Sequence, residues 1–150
     1  MNIEQCKADI KRHEGEVLEI YMDSLGYKTL GVGHLCQPND PEYSWEVGTS
    51  VSQEVVDMYY EDDFDKHYKE AIHVFGSQED FYKLPEKIQH VLVNMCFNLG
   101  GSRLSKFKNM LKACREHNWK EMSAQMQDSR WFTQVGRRSI ELQQTVLDQI

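Results

Sequence analysis

Three side chains near the N-terminus have types and spacing suited to cleaving a glycosidic bond: Glu14, Asp23 and Thr29. Glu14 ends a helical run in which Ile3 and Ile10 form an apolar stripe, and it lies in line with that stripe. Two effects there favour its protonated form. Desolvation penalises the carboxylate, and the negative end of the helix dipole penalises it further, as a general acid requires. A lone glutamate in such a place is more often a solvated acid in a fraying last turn, so the neighbouring residues carry the weight. Val17 to Met22 and Tyr27 to His34 are β-prone runs around Asp23-Ser24-Leu25-Gly26. A three-residue turn, Ser24 to Gly26, pairs Asp23 with Tyr27, Met22 with Lys28 and Tyr21 with Thr29. By parity Asp23 and Thr29 then share a face as diagonal neighbours, their β-carbons somewhat under about 7–8 Å apart, close enough to hold one water between carboxylate and hydroxyl. Each is also a common residue for its place, a turn start and a strand. A protonated acid facing a carboxylate with a positioned water is the equipment of an inverting glycosidase, whose carboxyls stand roughly 6.5–9.5 Å apart.

The elements that must position these residues read as α+β, mainly helical. Asn2 to Glu14 is the first helix, with Gly15 as its stop, and the hairpin follows. Cys36 to Ser50, with Pro38, Asn39, Asp40, Pro41 and Gly48, is a loop. Ser52 caps a long helix to about Val74 that carries Val56, Tyr60, Phe64, Tyr68 and Ile72 on one stripe. Pro85 opens a helix that is apolar on nearly all sides and stops at Gly100-Gly101, which suits the centre of a core. Arg103 to Glu116 reads as one helix, Asn118 with Glu121 as the capping box of another, and Gly136 to the C-terminus as the last. The expected organisation is one domain: a helix-and-hairpin lobe over about residues 1–51, a connecting helix over about 52–74, and a helical lobe over about 77–150.

The chain has 150 residues and a net charge of −7, which argues against a nucleic-acid partner and against stable membrane association. No run approaches the length of a membrane span, and Met1 to Gly15 is charged and amphipathic, unlike a signal peptide. The charge divides unevenly. Residues 1–80 hold six basic and 18 acidic side chains, net −12, and residues 81–150 hold 11 and six, net +5. The basic half leaves room for an anionic polymer as partner. Four widely spaced cysteines, at positions 6, 36, 96 and 114, read as reduced thiols.

His13-Glu14-Gly15, Tyr21-Met22-Asp23 and Gly26-Tyr27-Lys28-Thr29-Leu30-Gly31-Val32-Gly33-His34-Leu35 resemble the phage-type lysozymes, in which the same acid, aspartate and threonine spacing forms the catalytic triad. The resemblance implies a lysozyme-like fold, with the first helix packing on the C-terminal lobe. It also implies a muramidase that hydrolyses the β-1,4 bond between N-acetylmuramic acid and N-acetylglucosamine in bacterial peptidoglycan, by inversion and without a cofactor. Glu14 would protonate the leaving oxygen while Asp23 and Thr29 place or activate water. It extends through Asn94 to Gly100, Ser129 to Phe132 and Gly136 to Glu141. Leu35, Phe97, Asn98, Gln125 and Arg137 are the substrate contacts it implies, with Arg137 orienting Glu14 and His34 pairing with Asp63. On pattern alone, Phe97 and Asn98 read equally as a core phenylalanine and a polar helix end. Met110 and Gln125 stand where a phage relative has a small hydroxyl residue and an asparagine. The expected setting is a monomer in the host bacterial cytoplasm that reaches the wall after membrane permeabilisation. The alternatives are a lytic transglycosylase, or a non-catalytic peptidoglycan-binding or virion-structural protein on the same fold.

Other chemistries find little support. No Cys-x-x-Cys or His-Glu-x-x-His occurs, Cys114 with His117 is a lone helical pair, and no metal site is expected. Gly31-x-Gly33 lacks the third glycine and the helix of a dinucleotide fingerprint. Cys36 has no evident base to make it a nucleophile.

Overall fold

The computed structural model describes residues 2–150; Met1, with which the N-terminal segment begins, lies outside the described residues. The fold is α+β and mainly helical, with one three-stranded antiparallel sheet. The chain forms two compact units: residues 7–66, and residues up to Cys6 together with His67–Ile150.

Helix α1 (Ile3–Glu14), which belongs to the first unit from Lys7 onward, ends where Gly15 takes φ +77° and its N–H reaches the carbonyl of Lys11. The buried stripe is Cys6 and Ile10, with the half-buried Glu14 next at the same spacing of four; Ile3 is 44% exposed and does not belong to it. Strand β1 (Val17–Met22) pairs with β2 (Lys28–Gly31) in the expected register, Tyr21 opposite Thr29 and Met22 opposite Lys28. The single strand expected from Tyr27 to His34 is two. Gly31 and Gly33 take φ +60° and +65°, a left-handed conformation that a β-branched residue resists, so the chain reverses at 31–33 and β3 (His34–Leu35) pairs back onto β2. Strand β1 is bulged between Val17 and Tyr21, and the displaced segment bonds to the following loop instead. The N–H groups of Ile20, Gly48 and Val51 donate to Thr49, Ile20 and Leu18 respectively. The loop also holds a 3-10 turn, Pro41–Ser44.

Helix α2 (Gln53–Phe75) begins at Ser52, whose hydroxyl accepts the N–H of Val55. Its first part belongs to this unit. Lys7 of α1 forms an ion pair with Glu61, and the Tyr60 hydroxyl donates to the Lys7 carbonyl, so α1 is clamped along α2.

The second unit is built around α4 (Glu86–Leu99), where Ile88, Val91, Leu92, Val93, Met95 and Cys96 are each at most 1% exposed. This bears out a helix apolar on nearly all sides at the core's centre. Pro85 sits one residue earlier than expected, at the N-cap. The helix expected from Arg103 to Glu116 is broken into α5 (Gly101–Leu104) and α6 (Lys108–Arg115). Lys106 and Phe107 donate to Arg103 and Leu104, three residues back, and Phe107 leaves helical geometry at ψ 56° with its ring edge-on to Trp131 at 6.2 Å. Packing of that ring outweighs the helical propensity of the surrounding lysines. Two short helices escape the sequence pattern, α3 (Gln78–Tyr82) and α8 (Arg130–Val135), capped by Ser77 and Ser129. Between them in sequence, α7 (Trp119–Gln127) has the expected Asn118 cap on the Glu121 N–H, while the Glu121 carboxylate takes the Gln125 amide rather than closing the box. Helix α9 (Arg137–Leu147) follows Gly136 and packs on α4, α7 and α8.

All four cysteines are buried and none forms a disulfide. Among the described residues no helix is long and apolar enough to cross a membrane.

Candidate active site

The hairpin turn fixes two of the three candidate catalytic side chains through one residue. Asp23 Oδ1 accepts the N–H groups of Leu25 and Tyr27, at 2.9 and 2.8 Å, and the Asp23 N–H donates to the Tyr27 carbonyl. Thr29 Oγ1 donates to that same carbonyl at 3.1 Å. The carboxylate and the hydroxyl therefore grip opposite sides of the Tyr27 backbone, which sets their spacing. Asp23 Oδ2 lies outside these bonds. With its proton committed to a carbonyl, Thr29 Oγ1 is left as an acceptor, able to receive a hydrogen from water.

Tyr21, a hairpin residue with no evident role from its type or spacing, feels the charges of both candidate carboxylates. It lies directly opposite Thr29 and shares a face with Asp23. Its phenol is pushed above the usual tyrosine range by burial first, then by the charge of Glu14, then by that of Asp23. Two carboxylates from different elements thus act on one half-buried hydroxyl. The only sequence signal for it was its place opposite Thr29.

Glu14 occupies space that a side chain at residue 33 would take. A β-carbon on Gly33 would sit 2.6 Å from Glu14 Oε1, closer than any real contact allows, and φ at Gly33 is +65°. The glycine that forces the β2–β3 reversal therefore also lets the carboxylate lie against the backbone. Gly31 plays the same part for packing: a β-carbon there would come within 2.9 Å of Val56.

His34, the next residue, sits in a denser network than its expected pairing with Asp63. Nδ1 meets Asp63 at 2.7 Å as expected, and Nε2 meets Asp40 at 2.8 Å. The Tyr59 ring stacks on the imidazole at 3.9 Å, and the Tyr59 hydroxyl donates to the buried Glu42 at 2.6 Å. Burial alone would lower the His34 pKa, yet the hydrogen bonds and charges of Asp63 and Asp40 outweigh it and raise it. Asp40 is shifted down, because the Gln37 N–H and His34 overcome its burial. Burial and the hydrogen bond to Glu42 raise Tyr59. Neither type nor spacing singles out Asp40 or Glu42 from an acidic loop.

The expected substrate contacts divide between the units. In the first, Leu35 is 44% exposed and lines a cleft of about 370 Å³ with Tyr27, Lys28, Cys36 and Tyr43. Burial, followed by the charges of Asp40 and Glu42, raises the Cys36 thiol, which disfavours the thiolate a nucleophile would need. In the second, Gln125 and Met110 line a concave surface of about 890 Å³ with Trp131 and the basic Arg103, Lys106, Lys108 and Arg130. Met110 is itself only 1% exposed. Phe97 is buried and Asn98 half-buried, its Oδ1 accepting from Trp131 Nε1 at 2.7 Å. Arg137 is exposed at the start of α9, while its neighbour Arg138 is buried and donates to Asn94 Oδ1 at 2.9 Å. Burial pushes the Cys114 thiol up to about 12.

The chain is 31% identical to "Probable T4-type lysozyme 2" of Dictyostelium discoideum, over 91% of this chain and 90% of that protein. It is 26% identical to the pre-baseplate central spike protein Gp5 of Enterobacteria phage T4, over 92% of this chain and 27% of that longer protein. Peptidoglycan hydrolase gp36 of Pseudomonas phage phiKMV is 25% identical over 81% of this chain and 13% of its own length. The family profile described as phage lysozyme matches residues 11–144, a span that takes in Glu14, the hairpin and nearly all of the helical unit, and the chain belongs to the phage lysozyme family.

Proposed function

We propose that this protein is a peptidoglycan-hydrolysing muramidase, cleaving the β-1,4 bond between N-acetylmuramic acid and N-acetylglucosamine with inversion. The observation that carries this is the seating of all three side chains on one hairpin and its reversal, Asp23 and Thr29 on the backbone of Tyr27 and Glu14 against Gly33. Glu14 gives its proton to the departing glycosidic oxygen as the bond breaks. A water bound between Asp23 and Thr29 attacks the anomeric carbon from the other face; Thr29 Oγ1 accepts one of its hydrogens and Asp23 takes the proton released. Glu14 ends ionised and Asp23 protonated, and exchange with solvent restores both. Exposed Tyr27, Leu35 and Tyr43 offer flat apolar surface for sugar rings, and the basic concave surface of the second unit suits the acidic groups of muramyl peptides. We further take the chain as one catalytic domain, active as a monomer without cofactor, which waits in the host bacterial cytoplasm until a membrane lesion opens the way to the wall.

The test is clearing of permeabilised Gram-negative cells by the wild type and by Glu14→Gln, with mass spectrometry of the released muropeptides. Clearing by the wild type alone, with reducing ends, is the expected result. Equal clearing by both refutes the role of Glu14, and anhydro-muramyl ends would make the protein a lytic transglycosylase. The match to a phage spike protein favours a second reading, a non-catalytic wall-binding or virion-structural domain. Wild-type binding to cell walls without clearing would establish it.

A further inference from the structure

Within the second unit, three side chains from two helices meet at a point that the hydrolytic reading does not use. His67 and Glu70 lie one turn apart on the C-terminal part of α2, and Cys96 lies near the end of α4. One imidazole nitrogen, one carboxylate oxygen and the Cys96 sulfur are all within 4.8 Å of one another. Cys96 is fully buried, and His67 and Glu70 are partly so. His67 Nδ1 and Glu70 Oε1 are ion-paired at 2.7 Å, but both are shielded from solvent and their geometry is not that of a hydrogen bond. Buried polar atoms are costly to leave in this condition. Two such atoms facing one another beside a thiol mark a place where a third partner satisfies both.

We propose that His67, Glu70 and Cys96 form a site for a divalent transition metal of the zinc class. Imidazole, carboxylate and thiolate are the three zinc ligand types, and a mixed set containing sulfur selects against magnesium and calcium, which take oxygen. Tetrahedral ligation at about 2.0–2.2 Å puts nitrogen and oxygen ligands roughly 3.3 Å apart, so the His67–Glu70 pair opens by about 0.6 Å to admit the ion. The thiol proton is released to solvent as the sulfur binds.

Two features supply room and access. A β-carbon on Gly101 would lie 2.8 Å from Glu70 Oε2, so only glycine leaves the carboxylate its place. Glu70 also borders a cleft of about 610 Å³ with His73, Gly101 and Ser102, through which an ion enters and water completes its coordination. The bound metal would tie α2 to α4 beside Phe97, whose ring stands edge-on to His67 at 5.2 Å. A search for linear metal motifs misses such a site because its sulfur ligand comes from a different helix.

The experiment is a titration of metal-stripped full-length protein with cobalt(II), followed by displacement with zinc. One equivalent should produce a thiolate-to-cobalt charge-transfer band, and zinc at a hundredfold excess over its Kd should raise Tm by about 5–10 °C. Cys96→Ala and His67→Gln should abolish the band, and Glu70→Gln, at a half-exposed position, should weaken zinc by at least about tenfold while keeping the circular dichroism of the wild type. Cys114→Ala should leave band and stoichiometry unchanged. Absence of the band in the wild type overturns the proposal, as does a band that survives both Cys96→Ala and His67→Gln or that disappears in Cys114→Ala.

Discussion

Gly33→Ala tests whether the position of Glu14 depends on a missing side chain. The new β-carbon would lie 2.6 Å from Oε1, where ordinary contact begins near 3.4 Å, so the carboxylate must retreat by about 0.8 Å. A displacement of about 1 Å in a catalytic group costs on the order of 10²-fold in rate. The positive φ adds a separate cost. Holding alanine in the left-handed region takes roughly 1–2 kcal/mol, which for a chain of this size lowers Tm by about 2–8 °C. The two effects are separated by Gly48→Ala in the same unit, where φ is +92° and nothing lies within 4 Å of the added carbon. That variant should lose similar stability and keep its kcat. Turnover on purified peptidoglycan, measured well below both melting temperatures, gives the comparison. A Gly33→Ala enzyme with wild-type kcat, or a Gly48→Ala enzyme equally impaired, refutes the argument that steric access at residue 33 places the acid.

Glu14→Gln should lower kcat by roughly 10²–10⁴-fold with little change in Tm, the range that general acid catalysis supplies; a smaller loss, measured on the same substrate, removes Glu14 from the chemistry. His34 makes stability depend on pH in a stated direction. Its folded pKa is raised, so its contribution is complete below the unfolded value of about 6.5 and is lost as pH rises through the folded value, whereas that of Asp40, whose pKa is lowered, is present above about 3.8 and lost as pH falls through the folded value. Urea unfolding from pH 5 to 9 should show the alkaline decline in the wild type and not in His34→Asn. Tyr59→Phe removes the hydrogen bond to buried Glu42 and should cost about 1.5–3 kcal/mol by the same measurement. If the basic surface of the second unit draws the polymer in, kcat/KM on cell walls should fall as salt shortens the Debye length from about 10 Å at 0.1 M to about 3 Å at 1 M, with a flat profile rejecting that role.

Elements governed by local rules were legible in the sequence. The hairpin register followed from turn length and parity alone, and α4 announced its burial by being apolar on nearly all sides. Elements decided by tertiary contacts were not. The break between α5 and α6 depends on where Phe107 finds Trp131, a partner distant in sequence. Strand β3 is two residues long, too short for alternation to register, and only its bracketing glycines betray the reversal. The five-residue α3 and six-residue α8 are likewise below the length at which a helical period stands out.

The candidate site divides along the same line, and the division has a physical consequence. Types and spacing single out Glu14, Asp23 and Thr29, but what leaves Glu14 its place is a backbone position, Gly33, fixed from both sides by residues that spacing does not reveal. On one side Gly31 sits against Val56 of α2. On the other, His34 is anchored by Asp63 of α2 and by Asp40 of the loop, with Tyr59 stacked on its ring. Between them lies the 31–33 reversal that brings a bare α-carbon to the carboxylate. The buried histidine and the candidate acid are therefore coupled through one peptide unit, although no hydrogen bond joins them directly. It follows that loss of the His34 proton at high pH should loosen the seat of Glu14 as well as the fold, and that Asp63→Asn and Asp40→Asn should each lower kcat more than KM changes, at temperatures where both variants remain folded. If either variant keeps full kcat while losing stability, the network supports the fold alone and the reversal is rigid without it.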